Sequence, residues 1–392
     1  MDDYPENTIL TPNVRLAVQI NRGAFFYLYP HLFVHQIDED ANVFRITRTK
    51  CNWKLLPFLL SIIIFTTICG LGSALYVCAT HFLGIRTGRH QLQLDNLLEI
   101  EFLTALGFME VLALIILATK PLIIQCFNEV FHLERRCFAF VQCNRRNQPT
   151  FHKDLIGIFL ILVTISLALG GPIGIPIVLF AHGDPFYYII EEILPDRYNR
   201  SMTLIILTPI IRYILCFFCV MEFIRIAVHG IFFGLLSASA IHSLLEKLPK
   251  IESNYQSFRI FLQMRVFFAV ASGLINSVAL IGVIVSHIMT ILVLWATIML
   301  HGILHPVISL FFIGMSILFS GLTLVLLRVP ALITFKTKVY LKQKRIVYLK
   351  LKYHNSIRVR CGSFFEFKYS TVMSYFNHMA NNLTNAILLV QP

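Results

Sequence analysis

The sequence predicts an all-α membrane protein with seven transmembrane helices, and three observations lead there. Hydrophobic residue types make up 57% of the 392 residues and charged types only 14%, against roughly a quarter charged in an ordinary soluble domain. Several apolar runs reach the roughly 20 residues a helix needs to cross a bilayer. Lys and Arg crowd into alternate connections between those runs, as cytoplasmic loops do. The formal charge of +12 is therefore read as loop charge facing the inner leaflet, not as a nucleic-acid surface.

Residues 1–54 are polar and mixed and form a cytoplasmic N-terminal segment. The first apolar run, Leu55–Leu83, is too long for the roughly 7–15-residue core of a signal peptide, so it is expected to be an uncleaved anchor. The next spans are Leu97–Thr119, Leu155–Ala181, Ser201–Leu236, Val266–Leu294 and Val307–Leu327. The third contains "GGPIGIP" (Gly170–Pro176), which is expected to bend or loosen that helix or to let a neighbour pack closely. The fourth is too long for one crossing and should continue as helix beyond the membrane. "HGILHP" separates the fifth from the sixth, with Gly302 and Pro306 as the break. Residues 328–368 are a basic cytoplasmic segment, suited to anionic lipid headgroups. A more polar seventh span, Tyr369–Leu389, lies within the last stretch, 369–392.

Residues 1–54, 120–153, 237–265 and 328–368 hold six, six, four and eleven Lys/Arg, 27 of the 33 in the chain. That places the N-terminus inside and the C-terminus outside, the reverse of a G-protein-coupled receptor. The sequon Asn199-Arg200-Ser201 then falls in an external loop, making Asn199 a glycosylation candidate.

The seventh span sorts its residues by face. Val372, Phe376, Met379, Leu383, Ile387 and Val390 follow spacings of three and four and make an apolar stripe. Ser370, Ser374, Asn377, Asn381, Asn385 and Gln391 make the opposite stripe, flanked by His378 and Thr384. Ser363 and Glu366 read as an S-x-x-E capping box at its start. Polar groups turned to lipid would each cost several kcal/mol. The stripe therefore lines an aqueous path, packs inside its own bundle, or lies at the membrane surface. Surface helices are usually rich in Lys/Arg, and this stripe holds none.

The seven-span arrangement with an inside N-terminus, together with this C-terminal sequence, resembles the arthropod odorant and gustatory receptor superfamily. The gustatory branch carries Thr, Tyr, five residues, Gln, Phe near the end of its last span. Here Thr384 and Gln391 stand at the matching interval, with Asn385 and Pro392 in the Tyr and Phe places. The "CGSFF" opening (Cys361–Phe365) also resembles the start of that helix. The resemblance implies a homo- or hetero-tetrameric, ligand-gated, non-selective cation channel at the plasma membrane. It opens to a small-molecule tastant or odorant and needs no cofactor. The last helix would line the pore with Ser374, Asn377, Asn381, Thr384, Asn385, Leu388 and Gln391. Leu388 and Gln391 would form the gate, the leucine closing the pore by dewetting. Inner parts of spans four to seven would form a cytoplasmic anchor region. A ligand pocket would lie among spans two to six, where Phe102, Glu110, Arg212, Phe311 and Phe312 are candidates. The competing readings are a non-conducting relative, a transporter and a metabotropic receptor.

Other polar residues carry weaker signals. Glu110 and Arg212 lie near the middle of the second and fourth spans, and an intramembrane charge marks either a site or a structural pair. They are expected to pair with each other or with backbone. Glu222 and Arg225, three apart, form a local pair. Cys216 and Cys219 read as small buried hydrophobes. His301 and His305 are loop histidines beside Pro306, not a metal site. No Ser/His/Asp grouping, phosphate-cradling glycine loop or intramembrane carboxylate pair stands out, so enzymatic chemistry is not expected.

Overall fold

The computed structural model describes residues 11–25, 33–38, 43–48, 56–83, 92–141, 155–180, 184–193, 202–299, 306–345, 357–361 and 365–390. The chain opens with helix α1 (Pro12–Phe25) and an antiparallel hairpin, β1 (Phe33–Asp38) and β2 (Val43–Arg48), registered Phe33 to Arg48. The first span is built from α2 (Leu56–Ser61), a π-helical stretch (Ile62–Gly72) and α3 (Ser73–Phe82). Then come α4 (Leu92–Phe140), α5 (Leu155–Phe180), the short α6 (Pro185–Ile193) and α7 (Met202–Lys247). A turn of 3₁₀ helix, Leu248–Lys250, leads into α8 (Asn254–Met299), followed by α9 (Pro306–Arg345). The small strands β3 (Arg360–Cys361) and β4 (Phe365–Glu366) pair antiparallel before α10 (Tyr369–Val390).

Among the described residues, six helical segments are long and apolar enough to cross a membrane, and each overlaps one of the first six predicted spans. α10 is not among them by composition, although its 22 residues give about 33 Å, the thickness of a hydrocarbon core. Its Ser, Asn and Thr residues lower the mean hydropathy.

Length explains the architecture. α4, α7, α8 and α9 run 49, 46, 46 and 40 residues, so each is about 60–75 Å long and roughly twice the bilayer core. The surplus forms a second bundle at one end of the molecule, and its contacts are those of a wet environment. Glu134 on α4 accepts from Lys247 Nζ at 3.1 Å and Ser243 Oγ at 3.2 Å on α7. Lys336 meets Glu246, and Lys344 meets Asn254. The hydroxyls of Ser257 and Tyr340 join α8 to α9 at 2.8 Å. The Lys/Arg-rich ends of four helices thus converge, as alternating connections require.

Three boundaries differ most from the sequence expectation, and one is the start of α8 at Asn254 in place of Val266. α9 does not stop at Leu327 but runs to Arg345, through Pro330. α4 continues past Thr119 to Phe140, through Pro121. Apolar periodicity ends where lipid ends, but the helix continues because the extensions bury their own faces, with Phe131, Leu244, Phe261 and Tyr340 in one continuous core. In α5 the helix passes Pro172 and Pro176 without a break. Of the readings for "GGPIGIP", close packing is what appears: a Cβ on Gly171 would meet Ile224 Cδ1 at 2.6 Å.

Candidate functional site

α10 lies against α8 and α9. Phe335 of α9 stacks edge-on to Tyr369 at its start, centroids 5.7 Å apart, so α10 begins beside the basic extensions and runs toward the opposite end of the bundle. The capping expectation fails here. Helix α10 starts at Tyr369, and Glu366 lies upstream in β4, where its carboxylate pairs with Arg358 at 2.9 Å. Thr371 does the capping instead. Its hydroxyl accepts from the Lys368 N–H at 3.0 Å and donates to the Glu366 carbonyl at 3.3 Å. The third helical residue thus serves the residue before the helix, half of a capping box. Ser363 lies outside the described residues.

The two stripes of α10 separate in space. Val372, Tyr375, Phe376, Met379, Leu383 and Ile387 are buried or half-buried against the bundle, while Ser370, Ser374, Asn377, Asn381, Thr384 and Asn385 are exposed. Leu388 lies with the polar set and is 60% exposed. Gln391 lies outside the described residues. A single chain therefore leaves an amide- and hydroxyl-bearing helix face uncovered along the full length of a membrane-scale helix.

On the bundle side, α10 meets a polar seam. His287 of α8 faces Tyr375 edge-on, with ring centroids 5.1 Å apart, and stacks on His378. Ser286 and Thr323 share a hydrogen bond between α8 and α9, and Thr297 and Ser316 share another at 3.0 Å. Each hydroxyl so placed also finds a helix carbonyl or a partner hydroxyl, which makes buried Ser and Thr tolerable in hydrocarbon. Sequence reading missed His287 and Asn382 because single polar residues in apolar helices have no local signature.

The candidate pocket residues separate. Arg212 does not pair with Glu110. It is buried and bound to Asp184, at Nε–Oδ1 3.2 Å and Nε–Oδ2 3.1 Å, with Nη2 also reaching Asp184 and donating to the Leu179 carbonyl at 3.2 Å. The Tyr187 ring packs over its guanidinium at 4.9 Å. Asp184 has a second role: its Oδ1 accepts from the Tyr187 N–H at 3.0 Å, capping α6, with Pro185 at the first helical position. "DP" ahead of an aromatic run was the available sequence signal for this partner. Glu110 instead accepts from Thr67 Oγ1 at 2.7 Å, on the π-helical stretch. The wider π turn also leaves the Phe65 carbonyl to the Cys219 thiol at 2.8 Å. Glu222 and Arg225 do form the expected local pair, and Ser61 donates to Glu222 at 2.7 Å. Cys216 and Cys219 are buried among apolar side chains, as expected.

Phe102 lies on α4 and Phe311 and Phe312 on α9, with side chains outside the described residues, as are Asn199, His301 and His305. A cleft of about 240 Å³ lies between α4 and α8 instead, lined by residues that include Leu122, Glu129, Arg136, Gln263 and Phe267. It sits toward the basic extensions, several helical turns from Glu110.

No family model matches the chain, and no curated protein matches it. Among solved structures, the insect olfactory receptor OR5 from Machilis hrabei in complex with eugenol matches it. The TM-score is 0.53 and the identity 10%, over 96% of this chain and 98% of that one. At that identity the match establishes a shared all-helical membrane fold across nearly the whole chain.

Proposed function

We propose, from a fold shared end to end with an insect olfactory receptor, that this chain is a chemosensory receptor acting as a ligand-gated cation channel. Four copies surround a central path lined by α10. One observation carries the reading: Ser370, Ser374, Asn377, Asn381, Thr384 and Asn385 form an uncovered face while the opposite side of α10 is held by α8 and α9. Left in lipid, that face would cost several kcal/mol for each unsatisfied group. Turned toward copies of itself around water, the cost vanishes. The end of α10 lies away from the basic extensions, so the positive-inside rule puts Leu388 near the outer mouth. A small, largely apolar molecule of the eugenol type, which the matched receptor holds, is the ligand class to try first. Binding favours whichever arrangement of the helices accommodates it better, and the difference in affinity sets the shift in open population.

The test is current recorded from cells expressing the full chain alone, under a panel of volatile aromatics and tastants, with Asn381→Asp as a probe. Ligand-evoked cation current is expected, with a raised calcium-to-sodium permeability ratio in the variant, because four carboxylates would ring the path. No evoked current across the panel, or a current whose ion preference ignores Asn381→Asp, overturns the reading.

A further inference from the structure

The His287–His378 contact does more than fill space between α8 and α10. The two imidazoles are parallel within 8°, with centroids 5.7 Å apart. Their Nε2 atoms close on one point: Asn382 Nδ2 lies 3.1 Å from that of His287 and 3.3 Å from that of His378. Turning the amide over would put its oxygen at the same place. Two imidazole nitrogens and, with the amide turned, an amide oxygen are donors for a borderline divalent cation, which binds nitrogen at about 2.0–2.1 Å. Asn382 would have to draw back so that an ion takes the place its amide now fills, and each ring would then advance by roughly 1 Å. His378 and Asn382 are one helical turn apart, so a single face of α10 presents both.

We propose that His287, His378 and Asn382 form a zinc(II) site that clasps α10 to α8. A further observation gives a ligand access. His378 is exposed and borders Ser374 and Asn381, so an ion reaches it from the polar face of α10. Among the described residues no three His, Cys, Asp or Glu side chains come together. Three protein donors with water in the remaining position make the site modulatory and not a fold-holding one. A bound ion fixes α10 against α8 and opposes any displacement of α10 that gating requires. That consequence for current rests on the pore role proposed above; the binding itself does not.

The test uses the full chain purified into phosphatidylcholine nanodiscs, with zinc titrated against a fluorescent chelator. Saturable binding is expected that weakens at least about tenfold on loss of either histidine, in His287→Gln and His378→Gln, and is unchanged in His242→Gln on α7. His378 is exposed, so His378→Gln remains decisive if His287→Gln fails to fold. No saturable binding, or binding indifferent to His378→Gln, overturns the site. In cells, zinc is expected to reduce evoked current in the natural chain but not in His378→Gln. Zinc that binds through His378 without altering current upholds the site and counts against the gating role of α10, so the two failures are distinguishable.

Discussion

Breaking the Arg212–Asp184 pair should be among the most damaging single changes outside α10. Asp184 is fully buried and Arg212 only 4% exposed. The guanidinium meets both carboxylate oxygens and a backbone carbonyl, and the Tyr187 ring covers it. Such a pair adds little net stability over an apolar substitute, because its attraction is offset by desolvation, but removing one partner strands the other charge at about 3–5 kcal/mol. That is roughly two to nearly four decades in the folding equilibrium. Asp184→Asn isolates the charge effect, since asparagine caps α6 about as well as aspartate. Arg212→Met strands the carboxylate instead. The double variant holds no buried charge, keeps the cap and should lose less than about 2 kcal/mol, well below the sum of the singles. The assay is a denaturant titration of each purified variant in mixed micelles, read by tryptophan fluorescence. A loss under about 1 kcal/mol in either single variant would mean that water reaches the pair. Additivity in the double would mean that the two side chains do not depend on each other. Either result refutes the argument.

The remaining expectations concern packing and the exposed face of α10. Asn377→Cys and Asn381→Cys should react with a water-soluble methanethiosulfonate, whereas Met379→Cys, buried against the bundle, should react at least about tenfold more slowly because modification follows access; equal rates at the three positions would remove the separation of faces. Leu388→Ala should raise basal current with little effect on unfolding, since the side chain is 60% exposed and an apolar constriction closes by dewetting; unchanged basal and evoked current would count against it as a gate. Gly70→Ala should destabilise by about 1–3 kcal/mol, because a Cβ there would meet Leu106 Cδ1 at 2.7 Å and the Phe65 carbonyl oxygen at 3.1 Å. Gly273→Ala, with nothing within 4 Å, should instead stabilise α8 by up to about 1 kcal/mol; matching losses in the two variants, measured by the same titration, would contradict the packing described for the π-helical stretch.

Periodicity carried much of the reading of α10. Spacings of three and four placed Phe376, Met379 and Leu383 on one side and Asn377, Asn381 and Asn385 on the other, and the structure keeps them so. Its start was misread because Ser363 and Glu366 fit a capping pattern that β4 claims first, a local preference overridden by strand pairing. The hairpin β1–β2 was missed in a segment whose mixed polarity carries no strong period. Glu110 was assigned the wrong partner because mid-span charges can be matched by depth but not by azimuth, and azimuth depends on how the helices pack.

What the sequence settles alone is set by solvent: lipid demands runs of apolar helix, and most basic residues stay out of it, so the spans, their order and the two-faced character of α10 follow from composition along the chain. What only the tertiary structure decides is set by contact between distant segments. It alone brings Asp184 to Arg212, Thr67 to Glu110, and His287 to His378 and Asn382, and carries α4 and α9 beyond the membrane into a shared bundle. A hydrogen bond acts over about 3 Å, and no pattern along the chain specifies which two helices will present their polar atoms at that separation.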